Sequence, residues 1–444
     1  MKKSVRFPLL MVLLAGLMLL LPACGQKTAL SAKEPVELTF WHVYGEQADS
    51  PMDTLVAEFN RTVGLEKGIR INVTGSSSAA RIGEFLQESL NGDPGAREMP
   101  DLFTCHLNDA LALGAEHLLD WNQQFTADEL SDFVPGFLAD GTDDGRLLVF
   151  PLAKSTHVLM LNGTGFARFS AATGAAFGDM TTWEGFYDTA ARYYTYSGGT
   201  PLCAMDYPLR AVELRAMELG AGDFYTADGW YDFNNTILKE SWMMFARALV
   251  QGHVVVSDLY SNTQVMTGEV LAGLGSSAAI LYYNDTVSYE DGHSEPMDLQ
   301  VQPMPMTAGA QPLMTQAGVG LCAYKTTAQK AEAAAVFARW LTEAERNLDF
   351  VVQTGYMPVR NGAFDGISSG SFDQQSYENL YTALRTMHSS YTPVSEPRFA
   401  GYYGRVSALY DGLRQMQQEL PARAAAGEDV DTLAEETWAL FCSL

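Results

Sequence analysis

Positive charge is what this sequence has least of. Twenty-eight lysines and arginines stand against 53 aspartates and glutamates, a net charge of -25 over 444 residues. Three of the basic residues (Lys2, Lys3, Arg6) sit at the N-terminus, so the rest of the chain is more acidic still. Such a surface does not neutralise phosphates, which excludes nucleic acid as the partner, and it carries no polybasic patch for an anionic membrane. It does not define a small-molecule ligand, because a pocket can differ from the surface around it.

Cysteine is equally scarce. Beyond Cys24 only Cys105, Cys203, Cys322 and Cys442 remain, with no CxxC and no zinc or haem spacing. Cys105 and Cys322 lie in apolar, strand-like runs and read as buried thiols, their disulfide state left open. The seven histidines show no HExxH, and neither a GxxxxGK[ST] loop nor a GxGxxG after a strand is present. No metal and no cofactor is therefore expected. "GISSG" (366–370) fits G-x-S-x-G, but a nucleophile elbow needs a strand before the serine and a helix after it. The flanks "RNGAFD" and "SFDQQS" are loop-like, so Ser368 is not taken as a nucleophile. With carboxylates this plentiful, no pair stands out as a glycosidase acid and nucleophile.

Long hydrophobic runs are missing too, apart from one of 13 residues, Leu9–Leu21. A bilayer takes about 20. After the basic "MKKSVRFP" this run reads as the core of a signal peptide over 1–23. "LPAC" (21–24) resembles the bacterial lipobox, which implies acyl chains on Cys24; several chains on one residue anchor stably. Residues 24–35 would form a lipidated polar tether.

What is present is a regular alternation of strands and helices. "VELTFWH" (36–42) alternates Val36, Leu38 and Phe40 on one face. "PMDTLVAEFN" puts Met52, Leu55, Val56 and Phe59 at helical spacing, "IRINV" is a second strand, and "PDLFTC" a third. Strands separated by helices indicate sheets covered on both faces, whose ligands lie beyond the carboxyl ends of the strands. That rule selects Trp41 and His42, the loop "TGSSS" with Ser78, and "CHLND" with His106. "TTWE" offers a capping box from Thr181 to Glu184, and Thr326 with Gln329 offers another. "VQPMPM" is too rich in proline for a central strand and reads as an extended connector. Asp206 and Tyr207 in "AMDYPL" follow an apolar piece, as a cleft-facing loop would. Trp230 in "DGWYDF" reads either as a stacking surface or as a turn with partly buried rings. Hydroxyls, amides and aromatics at element junctions are tools for holding a polar small molecule.

Several segments, in order, resemble one family. "LTFWH", "DGRLLVFPLAKSTHVLMLN", "TWEGFYDTAARY", "GVGLCAY" with "AAAVFARWLTEAE", and "QTGYMPVR" are similar to blocks of the family 1 extracellular solute-binding proteins of ABC importers, which include sugar-binding lipoproteins. Within it, "FWH", "KSTHVLMLN", "GEVLAGLGSSA" and "TGYMPV" resemble the glycerol-3-phosphate-binding component. The resemblance implies an α/β, two-lobed periplasmic-binding-protein fold of type II, each lobe a mostly parallel sheet flanked by helices. Lobe 1 would hold 36–153 and 315–354, lobe 2 158–302 and 358–444, joined by hinge crossings. It implies ligand contacts at Ser155, at the Gly318 backbone N–H, at Tyr356 and at the pair Ser276 and Ser277. Two positions depart from the family pattern. His106 stands where a glutamate is expected, and a late arginine is matched only by neighbouring Arg398, Arg405 or Tyr402, so a neutral sugar competes with a phosphate. The implied function is non-enzymatic: capture of a sugar, oligosaccharide or polyol phosphate by a monomeric, lipid-anchored, extracytoplasmic protein that serves ABC permease subunits. A secreted carbohydrate-active hydrolase and a non-transport surface sensor are the alternatives.

Overall fold

The computed structural model describes residues 30–45, 50–76, 81–226, 230–258, 260–367, 372–399 and 401–444. The expected signal peptide, Cys24, the start of the tether, Ser78 and Ser368 lie outside them.

Besides two short hairpins (Thr142–Asp143 with Arg146–Leu147, Thr286–Ser288 with Ser294–Pro296), the strands among the described residues build three sheets: β1 (Val36–His42), β2 (Ile69–Ser76), β3 (Leu102–Cys105), β4 (Phe150–Pro151), β5 (His157–Asn162), β6 (Cys203–Met205), β7 (Val254–Val256), β8 (Ala272–Ser276), β9 (Leu299–Pro303), β10 (Leu313–Gln316), β11 (Gly320–Ala323) and β12 (Thr392–Ser395). The first sheet runs β2-β1-β3-β11-β4, the second β9-β5-β8-β6-β7, and β10 pairs with β12. In the two large sheets β1 pairs parallel with β2 and β3, and β6 with β7 and β8. Every antiparallel pair there involves β4, β5, β9 or β11, the strands that enter or leave a passage between the sheets. β9, the proline-bearing run, takes an edge position, where a missing N–H costs no ladder bond.

β5 is buried along its whole length, as a strand covered on both faces should be. In β1, Val36, Leu38 and Phe40 enter the main core, while Trp41 enters a second cluster with Ile82, Leu86 and Phe103. A register shift between Phe40 and Trp41 accompanies that change of side. Opposite Trp41 stands Gly75; a Cβ there would meet the indole at 3.0 Å.

The passages between the sheets are hydrogen-bonded to one another. Ser155 and Ala317 exchange backbone bonds (2.9 and 3.0 Å), and Lys154 and Met357 do the same (3.2 and 2.6 Å). Asn347, buried in helix α1 (Ala344–Val352), donates to Leu152 O (2.7 Å) and accepts from Val359 N (2.9 Å). After Pro358 the chain first follows the side of the first sheet: Val134 N donates to Val359 O (3.0 Å) and Asn361 N to Asp132 O (2.9 Å). Helix α2 (Gln375–Ser390) then packs along β9, and α3 (Tyr402–Met416) and α4 (Val430–Cys442) pack on one another.

α1 ends at Val352 with Gln353 as its C-cap, and Gly355 takes φ +68°, a left-handed conformation that glycine adopts without a Cβ penalty. Space demands glycine as well: a Cβ there would stand 2.5 Å from Ile280 Cγ2 and 2.8 Å from Ser277 O. Two N-caps fall one residue later than the capping boxes predict. Thr182 accepts from Gly185 N and Thr327 from Lys330 N.

Candidate functional site

Between the two large sheets lies a cleft of about 490 Å³. Val43, Tyr44 and Pro51 line it beyond β1, Thr354 and Tyr356 line it after α1, and Asp206, Tyr207, Tyr260, Asn262, Thr263, Ser276 and Tyr282 line it from the second sheet's side. Five of these residues are tyrosines, one is a carboxylate, and none among the described residues is lysine, arginine or histidine.

Three of the rings, Tyr44, Tyr356 and Tyr207, are held from behind. Nδ1 of His42 accepts from Tyr44 N (3.1 Å), so its proton sits on Nε2, which donates to Asp53 Oδ1 (3.0 Å). Burial lowers the His42 pKa against the pull of Asp53, which favours the neutral ring. Tyr44 meets Tyr356 edge to face, centroids 6.3 Å apart at 79°. Tyr381 of α2 donates to the carbonyls of Val351 (2.7 Å) and Tyr356 (2.9 Å), fixing the chain that carries Tyr356. Tyr207, 39% exposed, stacks on His157 at 4.7 Å and 5°. Burial, with the charge of Arg210 adding to it, pushes the His157 pKa down to about 3, so this support is uncharged.

Asp206 accepts from Ser261 N (2.7 Å) and Ser261 Oγ (3.0 Å). Burial raises its pKa, and these bonds work in the opposite direction. The glycines of β8 make the room it needs. A Cβ on Gly275 would lie 2.1 Å from Asp206 Oδ2, and one on Gly273 2.6 Å from Ser261 Oγ. Ser276 caps the short 3₁₀ helix Ser277–Tyr282 by accepting from Ala278 N (3.3 Å).

A second, water-sized compartment of about 30 Å³ holds His106, Asn108, Asp140, Lys154, Gln316, Gly318, Glu396, Arg398 and Tyr403. Gly318 (φ +109°) lines this compartment, and a Cβ there would stand 3.6 Å from Cε1 of Tyr356, which lines the large cleft. Lys154 is buried, ion-paired with Asp140, and donates to Gly318 O (3.3 Å). Burial works to raise the Asp140 pKa, but Lys154, with Ser395 and Arg398 adding to it, outweighs burial and holds the pKa below the usual range. Arg398 donates to the carbonyls of Ala139 (3.0 Å), Asp140 (3.0 Å) and Thr142 (2.9 Å), where a helix ends.

The residues expected from sequence thus divide. Asp206, Tyr207, Ser276 and Tyr356 meet in the large cleft; His106, Gly318 and Arg398 meet in the small one. Others face elsewhere. The Trp41 indole donates to Thr74 Oγ1 (3.1 Å) within the second core cluster, and His42 is fully buried behind Tyr44. Ser277 is buried beneath a passage, its Oγ accepting from Thr156 N (3.4 Å) and its N donating to Thr156 O (2.8 Å). Ser155 is buried within the same passage and lines neither space. Trp230 is packed by Tyr231, Phe399 and Phe441, with the Arg405 guanidinium 4.8 Å above its ring. Tyr402 is 3% exposed and turned into the core, whereas its neighbour Tyr403, 47% exposed, lines the small compartment and donates to Glu396 (2.7 Å). Tyr44, Tyr260, Asn262, Tyr282 and Lys154 were not foreseen. Tyr260 follows the carboxyl end of β7, so the strand-end rule applied to "VVVSDLY" would have reached it.

Among the described residues no helix is long and apolar enough to cross a membrane. A search of curated protein sequences gives no match. Solved structures of similar fold include the cyclic alpha-maltosyl-1,6-maltose binding protein from Arthrobacter globiformis: 18% identity, 92% of this chain and 98% of that one covered, TM-score 0.68. The sugar-binding protein MalE from Xanthomonas citri is similar at 15% identity, 90% and 95% coverage and TM-score 0.66. UgpB from Mycobacterium tuberculosis, solved with glycerophosphocholine, is similar at 16% identity, 92% and 98% coverage and TM-score 0.63. At such identities the likeness establishes the two-lobed fold. The family model described as "Bacterial extracellular solute-binding protein" matches residues 54–375, most of the chain. The chain belongs to the bacterial extracellular solute-binding proteins.

Proposed function

We propose that this protein captures a carbohydrate-like solute between its lobes by hinge closure and presents it to an ABC permease. The cleft carries the reading: five tyrosine rings beside Asp206, Asn262, Thr263 and Ser276 at the junction of two sheets. Aromatic faces cover the C–H side of a sugar, and hydroxyls, amide and carboxylate bond its rim. The structural relatives named above bind sugars or a glycerol derivative. In this reading the lobes comprise 36–153 with 315–354 and 158–302 with 358–444, except that the stretch just after Pro358 stays bonded to 132–134 of the first lobe, and the bonded passages between them act as the hinge. A monomer tethered outside the cell through acylated Cys24 completes the proposal. Hydrolysis has less support, because a glycosidase needs two carboxylates across its cleft and among the described residues Asp206 is the only one lining this cleft.

A thermal-shift screen of mono- to tetrasaccharides, polyols and their phosphates tests it. A solute at 100 times its Kd adds about 2.7 kcal/mol. A flat screen across all of these would overturn the reading.

A further inference from the structure

We infer that the cleft sorts solutes by charge: it admits neutral and amine-bearing saccharides and rejects anionic ones, with Asp206 as the discriminating group. This rests on the binding-protein reading and narrows it to one solute class.

Recognition of an anion needs N–H donors backed by positive charge. The large cleft has none among its described lining residues. The nearby cations are already engaged. Arg398 spends its donors on three backbone carbonyls. Lys154 is ion-paired with Asp140, and Arg210 with Glu213, both lysine and arginine being buried. Arg414 donates to Ser257 O (2.7 Å) and Asp411 (2.8 Å). Free backbone N–H groups are the other resource for an anion, and two are taken by side chains. Asp206 accepts from Ser261 N at the start of the helix Ser261–Met266, and Ser276 Oγ accepts from Ala278 N.

What the cleft offers instead is negative. The π-faces of its tyrosines attract cations, and Asp206 lines the same space. Gly275 leaves that carboxylate room, as a residue with a Cβ would not, and Gly273 leaves room for Ser261, which donates to it. A phosphate entering here would lose its water and meet a like charge with no counter-ion. A sugar hydroxyl, or an ammonium group in its place, can donate to Asp206.

The test is titration calorimetry on the purified mature chain with two matched sets. One is glucose, glucosamine and glucose 6-phosphate; the other is maltotriose, its terminal 6-amino-6-deoxy form and its terminal 6-phosphate. The expected result is that neutral and amino forms bind, with the phosphate forms weaker by on the order of 100-fold. Phosphate forms that bind as tightly as the neutral ones overturn the charge rule and leave the receptor reading standing. Failure of every saccharide to bind overturns both. Two variants locate the discriminator. Asp206→Asn raises the phosphate-to-amine affinity ratio by roughly tenfold or more. Thr263→Lys, at an exposed position on the rim, raises the phosphate-to-neutral ratio and remains readable if the buried Asp206 variant fails to fold. An unchanged ratio in folded Asp206→Asn removes Asp206 from the role.

Discussion

Replacing Gly355 with alanine tests the junction that carries Tyr356, and Gly92 supplies its control. Both glycines are left-handed, at φ +68° and +69°, after a helix end. A Cβ on Gly92 meets nothing within 4 Å. Gly92→Ala therefore costs only the left-handed penalty, about 1–2 kcal/mol. On Gly355 the same atom falls 2.5 Å from Ile280 Cγ2, 2.8 Å from Ser277 O and 3.1 Å from Ala278 Cα. Two of those three atoms are backbone, which yields less readily than a side-chain tip. Overpacking adds about 1–3 kcal/mol, so Gly355→Ala should cost roughly 2–5 kcal/mol in total. The strain lies between the end of α1 and the turn after β8, and relieving it pushes Tyr356 away from Ser276. Solute affinity should fall in Gly355→Ala and stay unchanged in Gly92→Ala. Urea unfolding of both variants, with calorimetric titration of the solute found by screening, measures the two effects. Equal destabilisation of the two variants, within about 0.5 kcal/mol, with equal affinities, would refute the reasoning that Gly355 is required for space as well as conformation.

Three further outcomes are expected. His157, with a folded pKa of about 3 against an ordinary 6.5, contributes stability that is fully present above pH 6.5 and falls as pH drops towards 3, by up to about 1.4 kcal/mol per unit; unfolding at pH 7, 6 and 5 should show a shallower slope in His157→Gln, and identical slopes would refute it. Lys154→Met strands Asp140 in a buried site and should cost about 3–5 kcal/mol, whereas Lys154→Met with Asp140→Leu recovers much of it; chemical denaturation of both variants decides. Tyr356→Phe should weaken solute binding by about 0.5–1.5 kcal/mol while leaving the melting temperature of the free protein within a degree or two; an unchanged Kd means that the hydroxyl does not touch the solute.

Local pattern was readable where one element dictates its own shape. The alternation in "VELTFWH" bounds β1 at Val36 and His42, the same limits the structure shows. Helix stripes in "PMDTLVAEFN" bury Met52, Val56 and Phe59 as their spacing predicts. Side-chain direction at strand ends was not readable, because both faces of these sheets are covered. Phe40 and Trp41 are buried on opposite sides, and Tyr44, two residues past the strand, is the one that meets the cleft. Adjacent residues on a helix point about 100° apart, which separates Tyr402 in the core from Tyr403 at the small compartment. Paired threonines explain the shifted caps: in Thr181-Thr182 and Thr326-Thr327 either hydroxyl suits the role, and the chain's path selects the second. The engagement of Arg398 by carbonyls near residue 140 joins positions too far apart in sequence for any local pattern to reveal.

The position of β11 also constrains the order of folding. It inserts between β3 and β4, with Gly320 opposite both Cys105 and Pro151. The first sheet therefore stays split until a strand made more than 150 residues after β4 arrives. A chain emerging N-terminus first through an export channel would expose that gap throughout its passage, holding β3 and β4 apart and unpaired while the second sheet is still being delivered. Contacts of such long sequence separation form slowly, so the first sheet should be completed late in folding. The same arrangement makes two severed halves a poor experiment: cut at residue 153, the N-terminal piece lacks the interior strand that joins β3 to β4 and has no complete sheet to fold.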